Sequence, residues 1–325
     1  MPDEVETEHA ILRTVLYSDL FDYPLTPAEI AHYLIEVPGD PVRVQACLDA
    51  PLWLGQLITR VDGYVTLRGR EDLVRRRKER SRCSSRLWRK ARFFVRILSC
   101  MPFVRMICVT GALSMDNSGR RDDVDVMLVT APNRVWVARV FSLVAVYAGR
   151  MAGNTLCPNY LLSEKVLSLE RRSLYTAHEF AQMVPLYGFE IYRRMRAANR
   201  WVDEFLPNAV RPVKWLPEHR PGLFGRVVKR ALERLLEGEW GDRLEAWEMR
   251  RKLRKFRARL TCSGGAAILS RDQVKGHFDD HGERVIRAFQ RKLEEFHLAG
   301  CDCQSAFDHQ VTMAPGQTTR DLVSW

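Results

Sequence analysis

The sequence predicts an α+β fold: a small mixed sheet flanked by an N-terminal module of three helices and a hairpin and by a C-terminal helical region. Three observations predict it. Helical apolar spacing ending in a hairpin signal fills residues 1–70. Short β-rich apolar runs separated by a single crossover helix fill residues 104–170. Helical periodicity then returns from Arg171 to about Leu298.

His9 to Leu20 places Ile11, Leu12, Val15, Leu16 and Leu20 at helical spacing. In FDYPLTPAEIAHYL, Thr26 is an N-cap, Pro27 suits the first helical position and Glu29 completes a capping box, so a second helix runs from Pro27 to about Leu34. A third contains Val42 to Leu48. LITRVDGYVTL reads as two strands around Asp62-Gly63, a strong hairpin signal. Three helices followed by a hairpin make a winged helix over residues 1–70. Such a module reads DNA with its third helix, yet PVRVQACLDAPLW offers only Arg43 and Gln45 to base edges. A structural or protein-contact role stands beside DNA reading.

Residues 68–96 are dense in Arg and Lys, with Leu73, Val74, Leu87, Trp88, Phe93, Phe94 and Leu98 spread among and just after them. One or two basic helices are expected, linking the module to the sheet over residues 71–103. Their outer face is either plainly solvated or a shelf for nucleic acid or another phosphate-bearing acceptor. In residues 104–170, VRMICVT, VDVMLVT and TLCPNYLLS are strands and RVWVARVFSLVAVYAGRMA a helix. Residues 171–298 are expected to be helical, with two helices meeting near Pro185-Leu186-Tyr187-Gly188, a proline-punctuated connection from Pro207 to Pro221, a long amphipathic stretch from Phe224 to about Leu260 interrupted at Gly238 and Gly241, and a last helix from His277 to Leu298. Residues 299–325 read as a loose tail.

Apolar content of 46% and charged content of 28% are those of a globular protein, and the net charge of +11 favours phosphate-rich partners. The acidic start MPDEVETEH is neither a signal nor a transit peptide. The most apolar stretch, Val135 to Ala148, is interrupted by Arg139, so no membrane span is expected. Eight scattered cysteines without paired CxxC motifs argue against structural zinc and fit a cytoplasmic location. The Cys301-x-Cys303 pair in the tail and the HFDDH segment (His277, Asp279, Asp280, His281) are weak metal candidates.

The chemistry is concentrated in ICVTGALSMDNSGRRDDVDVMLVT. An apolar strand runs into Gly111, and Asp123-Val124-Asp125 opens the next strand. Alternation aims Asp123 and Asp125 at one face. Two adjacent carboxylates repel, and a divalent cation, Mg2+ or Mn2+, removes the conflict while bridging to substrate phosphates. Gly111 ends the first strand where bulk would block a phosphate, and the backbone beyond it with the Ser114 hydroxyl can hold phosphate oxygens. Asp116 and Asp122 could add to the metal site. Asn117, Arg120, Arg121 and Lys165 could contact phosphate, and His178 and Glu179 read as structural residues of a helix.

This arrangement resembles the nucleotidyltransferase superfamily, whose signature is an apolar residue, Gly, Gly or Ser, some ten residues, then an acid-apolar-acid triplet on a strand. Thr110-Gly111-Ala112 through Asp123-Val124-Asp125 carries it, with twelve positions from Gly111 to Asp123. More loosely, FDYPLT, CPNYLLSE, NRWV and KGHFDDHG are similar to bacterial nucleotidyltransferase-domain proteins with an N-terminal winged helix. The resemblance implies Asp123 and Asp125 as catalytic metal ligands, Gly111, Ala112 and Ser114 as the nucleotide-binding turn, a nucleoside triphosphate as substrate and an acceptor hydroxyl. Two departures stand out. Ala112 replaces the second small polar residue, so either Ser114 takes that hydroxyl's place or nothing does. Where a third carboxylate is expected on a later strand, TLCPNYLLSE offers the neutral Asn159, with Glu164 at the strand's end, so either Glu164 or another acid substitutes or catalysis is impaired. The two implied activities are a metal-dependent nucleotidyltransferase and a nucleotide-sensing or nucleic-acid-binding protein without turnover.

Overall fold

The computed structural model describes residues 3–151, 155–262, 268–275 and 281–298. The first helix, α1 (Glu4–Asp19), begins earlier than its apolar spacing indicates, because the Asp3 carboxylate accepts from the Glu6 N–H and caps it. In α2 (Pro27–His32) the Thr26 hydroxyl accepts from the Glu29 N–H at 3.2 Å while the Glu29 carboxylate accepts from the Thr26 N–H at 2.8 Å, closing the expected capping box. Then come α3 (Pro41–Asp49) and the hairpin β1 (Ile58–Val61) and β2 (Tyr64–Leu67), turned by Asp62 and Gly63 at φ 51° and 81°. Leu25 forms a bridge with Val65. The basic segment is one helix, α4 (Asp72–Leu98).

The strands β3 (Val104–Val109), β4 (Val124–Thr130) and β5 (Leu156–Ser163) follow, with α5 (Gly111–Ser114) and α6 (Val135–Met151) between them. Beyond residue 170 the chain is not purely helical. After α7 (Leu174–Ala181), the Pro185-Leu186-Tyr187 segment expected at a helix junction is β6 (Val184–Tyr187). It lies at the sheet edge, where the missing Pro185 N–H is tolerated. Helices α8 (Phe189–Ala198), α9 (Val202–Phe205), α10 (Leu223–Leu236) and α11 (Glu239–Cys262) precede two short strands, β7 (Ile268–Leu269) and β8 (Gln273–Lys275), and α12 (His281–Glu295). Residues 276–280, with His277, Asp279 and Asp280, and the 299–325 tail with Cys301 and Cys303 lie outside the described residues.

The sheet is mixed and six-stranded, in the order β6-β3-β4-β5-β8-β7, with β4 and β5 parallel and the other neighbours antiparallel. It therefore extends beyond the 104–170 segment, taking β6, β7 and β8 from the C-terminal half. Alternation divides its side chains between two cores. Ile107, Val109, Val126, Leu128 and Leu161 pack with α4 and α6. Met106, Cys108, Met127, Val129 and Leu162 face the other way, into a core shared by residues of the N-terminal module and of α7, α8, α9 and α12. The module is fused to the C-terminal helices: Tyr17 stacks on His178 with ring centroids 4.0 Å apart, Glu36 N–H donates to the Phe205 carbonyl at 2.8 Å, and Asn208 bridges Gly39 and Ala31.

Three helix starts are capped by distant glutamates. Glu8 accepts from the N–H groups of Leu52, Trp53 and Leu54, Glu218 from Gly188 and Phe189, and Glu245 from Trp136 and Val137. None of the helices among the described residues is long and apolar enough to cross a membrane.

Candidate active site

The β3–β4 connection places the predicted residues. Thr110 N–H donates to the Asp125 carbonyl at 3.1 Å, joining the end of β3 to the start of β4. The chain then turns at Gly111 with φ 64°, a left-handed conformation that glycine adopts without steric cost. A β-carbon on Gly111 would stand 2.9 Å from Asp125 Oδ2. The glycine bend and the carboxylate are thus packed directly together. Asp125 is half-buried on the face of β4 that carries Met127 and Val129, and Asp123 is exposed one residue before the strand, with both charges close enough to act on Cys157.

Ala112 is exposed at the start of α5. Ser114 is buried, and its hydroxyl donates to the Gly111 carbonyl at 2.7 Å. It braces the bend from behind and does not present its oxygen to solvent, contrary to its expected place as a phosphate contact. The next residues are held just as firmly. The Met115 carbonyl accepts from Tyr23 Oη at 2.9 Å and Arg77 Nη1 at 2.8 Å. Asp116 accepts from Trp88 Nε1 at 2.6 Å and pairs with Lys214. Asn117 is turned onto Arg80 and the Phe21 carbonyl, and Ser118 N–H donates to Ser84 Oγ at 3.0 Å. Asp122 accepts from the Gly119 N–H at 2.8 Å. Asp116, Asn117 and Asp122 are therefore loop braces, whereas Arg120 and Arg121 remain exposed.

The expected third acid is not Glu164. Parallel pairing sets Asp125 beside Cys157 and Thr130 beside Ser163, so Glu164, one residue further, lies about 20 Å up the sheet at ~3.3 Å per residue. There it pairs with Arg194 at 3.0 Å and Arg105 at 3.8 Å. Lys165 is at that same end, donating to Asn133 at 2.9 Å. Asn159 does lie at the site. It occupies the irregularity in the β4–β5 register and donates to Thr110 Oγ1 at 3.4 Å. The immediate neighbour of Asp125 is Cys157, hydrogen-bonded to it. Burial, reinforced by the charges of Asp125 and Asp123, pushes this thiol up to about 11, so it stays protonated.

An acid close enough to interact electrostatically with Asp125 is Glu179 of α7. Burial raises its carboxyl to about 7, with Lys275 of β8 lowering it and the charge of Asp125 raising it further. The sequence reading treated Glu179 as structural. Its signal was a carboxylate between Ala177, His178, Phe180 and Ala181, all of them buried. Its neighbour His178 is structural as expected: Nδ1 lies 3.0 Å from the Leu174 carbonyl, and burial lowers the ring to about 4. Asn199, in NRWV, is likewise structural, satisfying Leu167, Leu169, Met195 and Trp201 from full burial.

Among the described residues no three His, Cys, Asp or Glu side chains are grouped closely enough to hold a metal unaided. Asp123 and Asp125 instead form a two-carboxylate set against a bend with no side chain. That donor chemistry fits a hard cation that takes its remaining ligands from water and phosphate oxygens. Comparison of the chain with protein-family models, with characterised proteins and with solved structures returned no match.

Proposed function

We infer that this protein is a metal-dependent nucleotidyltransferase that moves a nucleoside monophosphate from a nucleoside triphosphate to an acceptor hydroxyl. The observation that carries the reading is the left-handed Gly111 bend packed against Asp125 at the mouth of β4, with Asp123 exposed one residue before the strand. Asp123 and Asp125 would hold Mg2+, which when bound offsets charge on the transferring phosphoryl group. The bare Gly111 backbone lets the bend sit directly against Asp125, where its N–H groups are suited to phosphate oxygens, and the braced 115–118 segment holds that bend without reorganisation. Arg120 and Arg121 are exposed in the same β3–β4 connection, suited to the distal phosphates. The acceptor oxygen attacks the α-phosphorus, the bond to the bridging oxygen breaks and pyrophosphate leaves. Glu179, raised to about 7, is suited to take the acceptor's proton near neutral pH.

The test is titration of Mg2+ and nucleoside triphosphate into the wild-type chain and into Asp123→Ala/Asp125→Ala. Metal-dependent nucleotide binding is expected in the first and lost in the second; equal binding in both would sink the reading. A nucleotide sensor without turnover is the second reading, favoured by the neutral Asn159 and the protonated Cys157 where an acid was expected on β5. Labelled nucleotide incubated with a cell extract separates the two, because only the enzyme leaves label on an acceptor.

A further inference from the structure

The side of the sheet opposite Asp125 is covered by α4 and α6, with α11 packed along α6 and beside α10. The outer surface of α6, α10 and α11 is not the polar face expected of a water-facing helical layer. On α10, Phe224, Val227, Ala231 and Leu235 recur at helical spacing as an exposed apolar edge, with Phe224 83% and Leu235 71% exposed. Alongside runs a basic edge, Arg226, Arg230 and Arg234, all exposed. The only acid of this helix, Glu233, is turned inward to the Phe103 N–H and Arg105.

On α11, Trp240 (75% exposed) and Trp247 (51% exposed) lie on one face. Arg243 and Arg251 sit over their rings at 5.5 and 5.4 Å. The acids of this helix are engaged: Glu239 with Arg243, Asp242 with Arg134, Glu245 with the start of α6, and Glu248 with Arg139 and Arg251. On α6, which packs along α11, Tyr147 is exposed with Val144 and Met151. Three neighbouring helices thus expose aromatic and aliphatic side chains interleaved with arginine.

We propose that the outer face of α6, α10 and α11 docks on the surface of an anionic membrane. The apolar edge would enter the headgroup–acyl boundary, tryptophans would sit at headgroup level and arginines would meet lipid phosphates. Other occupants satisfy only half of this surface. A second copy would set Arg226, Arg230 and Arg234 against their own equivalents. A polynucleotide would match the arginines but leave Val227 and Leu235 facing water. The proposal is independent of the nucleotide chemistry on the other side of the sheet.

The test is co-sedimentation of the full chain with vesicles of phosphatidylcholine alone or mixed with phosphatidylglycerol. Binding is expected only to the mixed vesicles. It should weaken about tenfold in Phe224→Ser/Leu235→Ser and in Arg230→Ala/Arg234→Ala. These side chains are exposed, so the thermal transition should not move. Should a variant misfold, quenching of wild-type tryptophan emission by brominated lipid reads the same contact. Four results would overturn the proposal: no binding of the wild-type chain to mixed vesicles, binding indifferent to both variants, no quenching, or a dimer held through Phe224 and Leu235. Binding of single-stranded RNA through these arginines, without vesicle binding, would reassign the surface to a polynucleotide.

Discussion

At residue scale the site depends on what Gly111 lacks. Its φ of 64° costs an L-residue about 1–2 kcal/mol, and a β-carbon would press on Asp125 Oδ2. Gly111→Ala is therefore expected to lower the unfolding free energy by about that amount and to abolish metal-dependent nucleotide binding, both readable on one preparation by urea titration and calorimetry. Glu179 and His178, adjacent on α7, have opposite linkage to pH. The Glu179 carboxyl is raised from its ordinary value to about 7, so the folded chain holds an extra proton. Its contribution is full below the unfolded value and fades as pH rises through about 7. His178 is depressed to about 4, so its contribution is present above its ordinary range and is lost as pH falls toward 4. In metal-free protein, Glu179→Gln should remove the decline in unfolding free energy on the neutral side and leave the acid side unchanged. Urea midpoints measured across pH check both statements.

At element scale, the segment after the glycine is shaped by partners from three places: Tyr23 of the N-terminal module, Arg77, Arg80, Ser84 and Trp88 of α4, and Lys214 of the Pro207–Pro221 connection. Arg77 is central. Nearly buried, it pairs with Glu29 at 2.8 Å, lies 3.6 Å from the Tyr23 ring centroid and donates to the Met115 carbonyl. Removing one partner of such a pair costs about 3–5 kcal/mol. Arg77→Met should destabilise by that order and speed amide exchange at residues 115–118, measured by hydrogen exchange with mass spectrometry. The β6–α8 junction gives a second expectation. Gly188 has φ 76° and a β-carbon there would lie 2.0 Å from the Arg105 carbonyl. Gly188→Ala should therefore push β6 off β3 and cost more than the roughly 1–2 kcal/mol of the left-handed conformation alone, read as a lower thermal midpoint.

For the whole molecule, the N-terminal module and the C-terminal helices behave as one packed body over the Asp125 face of the sheet. Tyr17 is enclosed by His178 and by Phe289 of α12, whose ring stands edge-on at 5.4 Å, and Lys292 of α12 pairs with Asp19 of α1. A chain beginning at Asp72 would expose the faces of α7 and α12 that these residues cover. It is expected to be insoluble or unfolded by circular dichroism, whereas an independent winged-helix domain would leave a folded remainder. As a DNA reader the third helix has little to offer: of its two candidates Gln45 is bonded to Asp49 and Arg43 is half-buried, and the exposed surface of α3 presents Val42 and Asp49.

Features set by neighbouring residues were legible in the chain alone. Thr26, Pro27 and Glu29 start a helix by satisfying its own first N–H groups, Asp62-Gly63 turns a hairpin through local backbone preference, and the Asp123-Val124-Asp125 triplet alone sets two carboxylates at the mouth of β4. The long-range arrangement was not legible. Pro185 read as a break between helices until β3 offered β6 an edge to pair with, and β8 is too short to show a period. Ser114 is turned inward and the Glu179 carboxyl is buried within reach of Asp125's charge because of what packs around α5 and α7, not because of their adjacent residues. The pair of acids and the glycine belong to the sequence. Which further groups come near Asp125, Cys157 beside it and Glu179 within reach of its charge, was decided by tertiary packing, because a side chain's partner across the core is set by the sum of many weak apolar contacts that no local stretch contains.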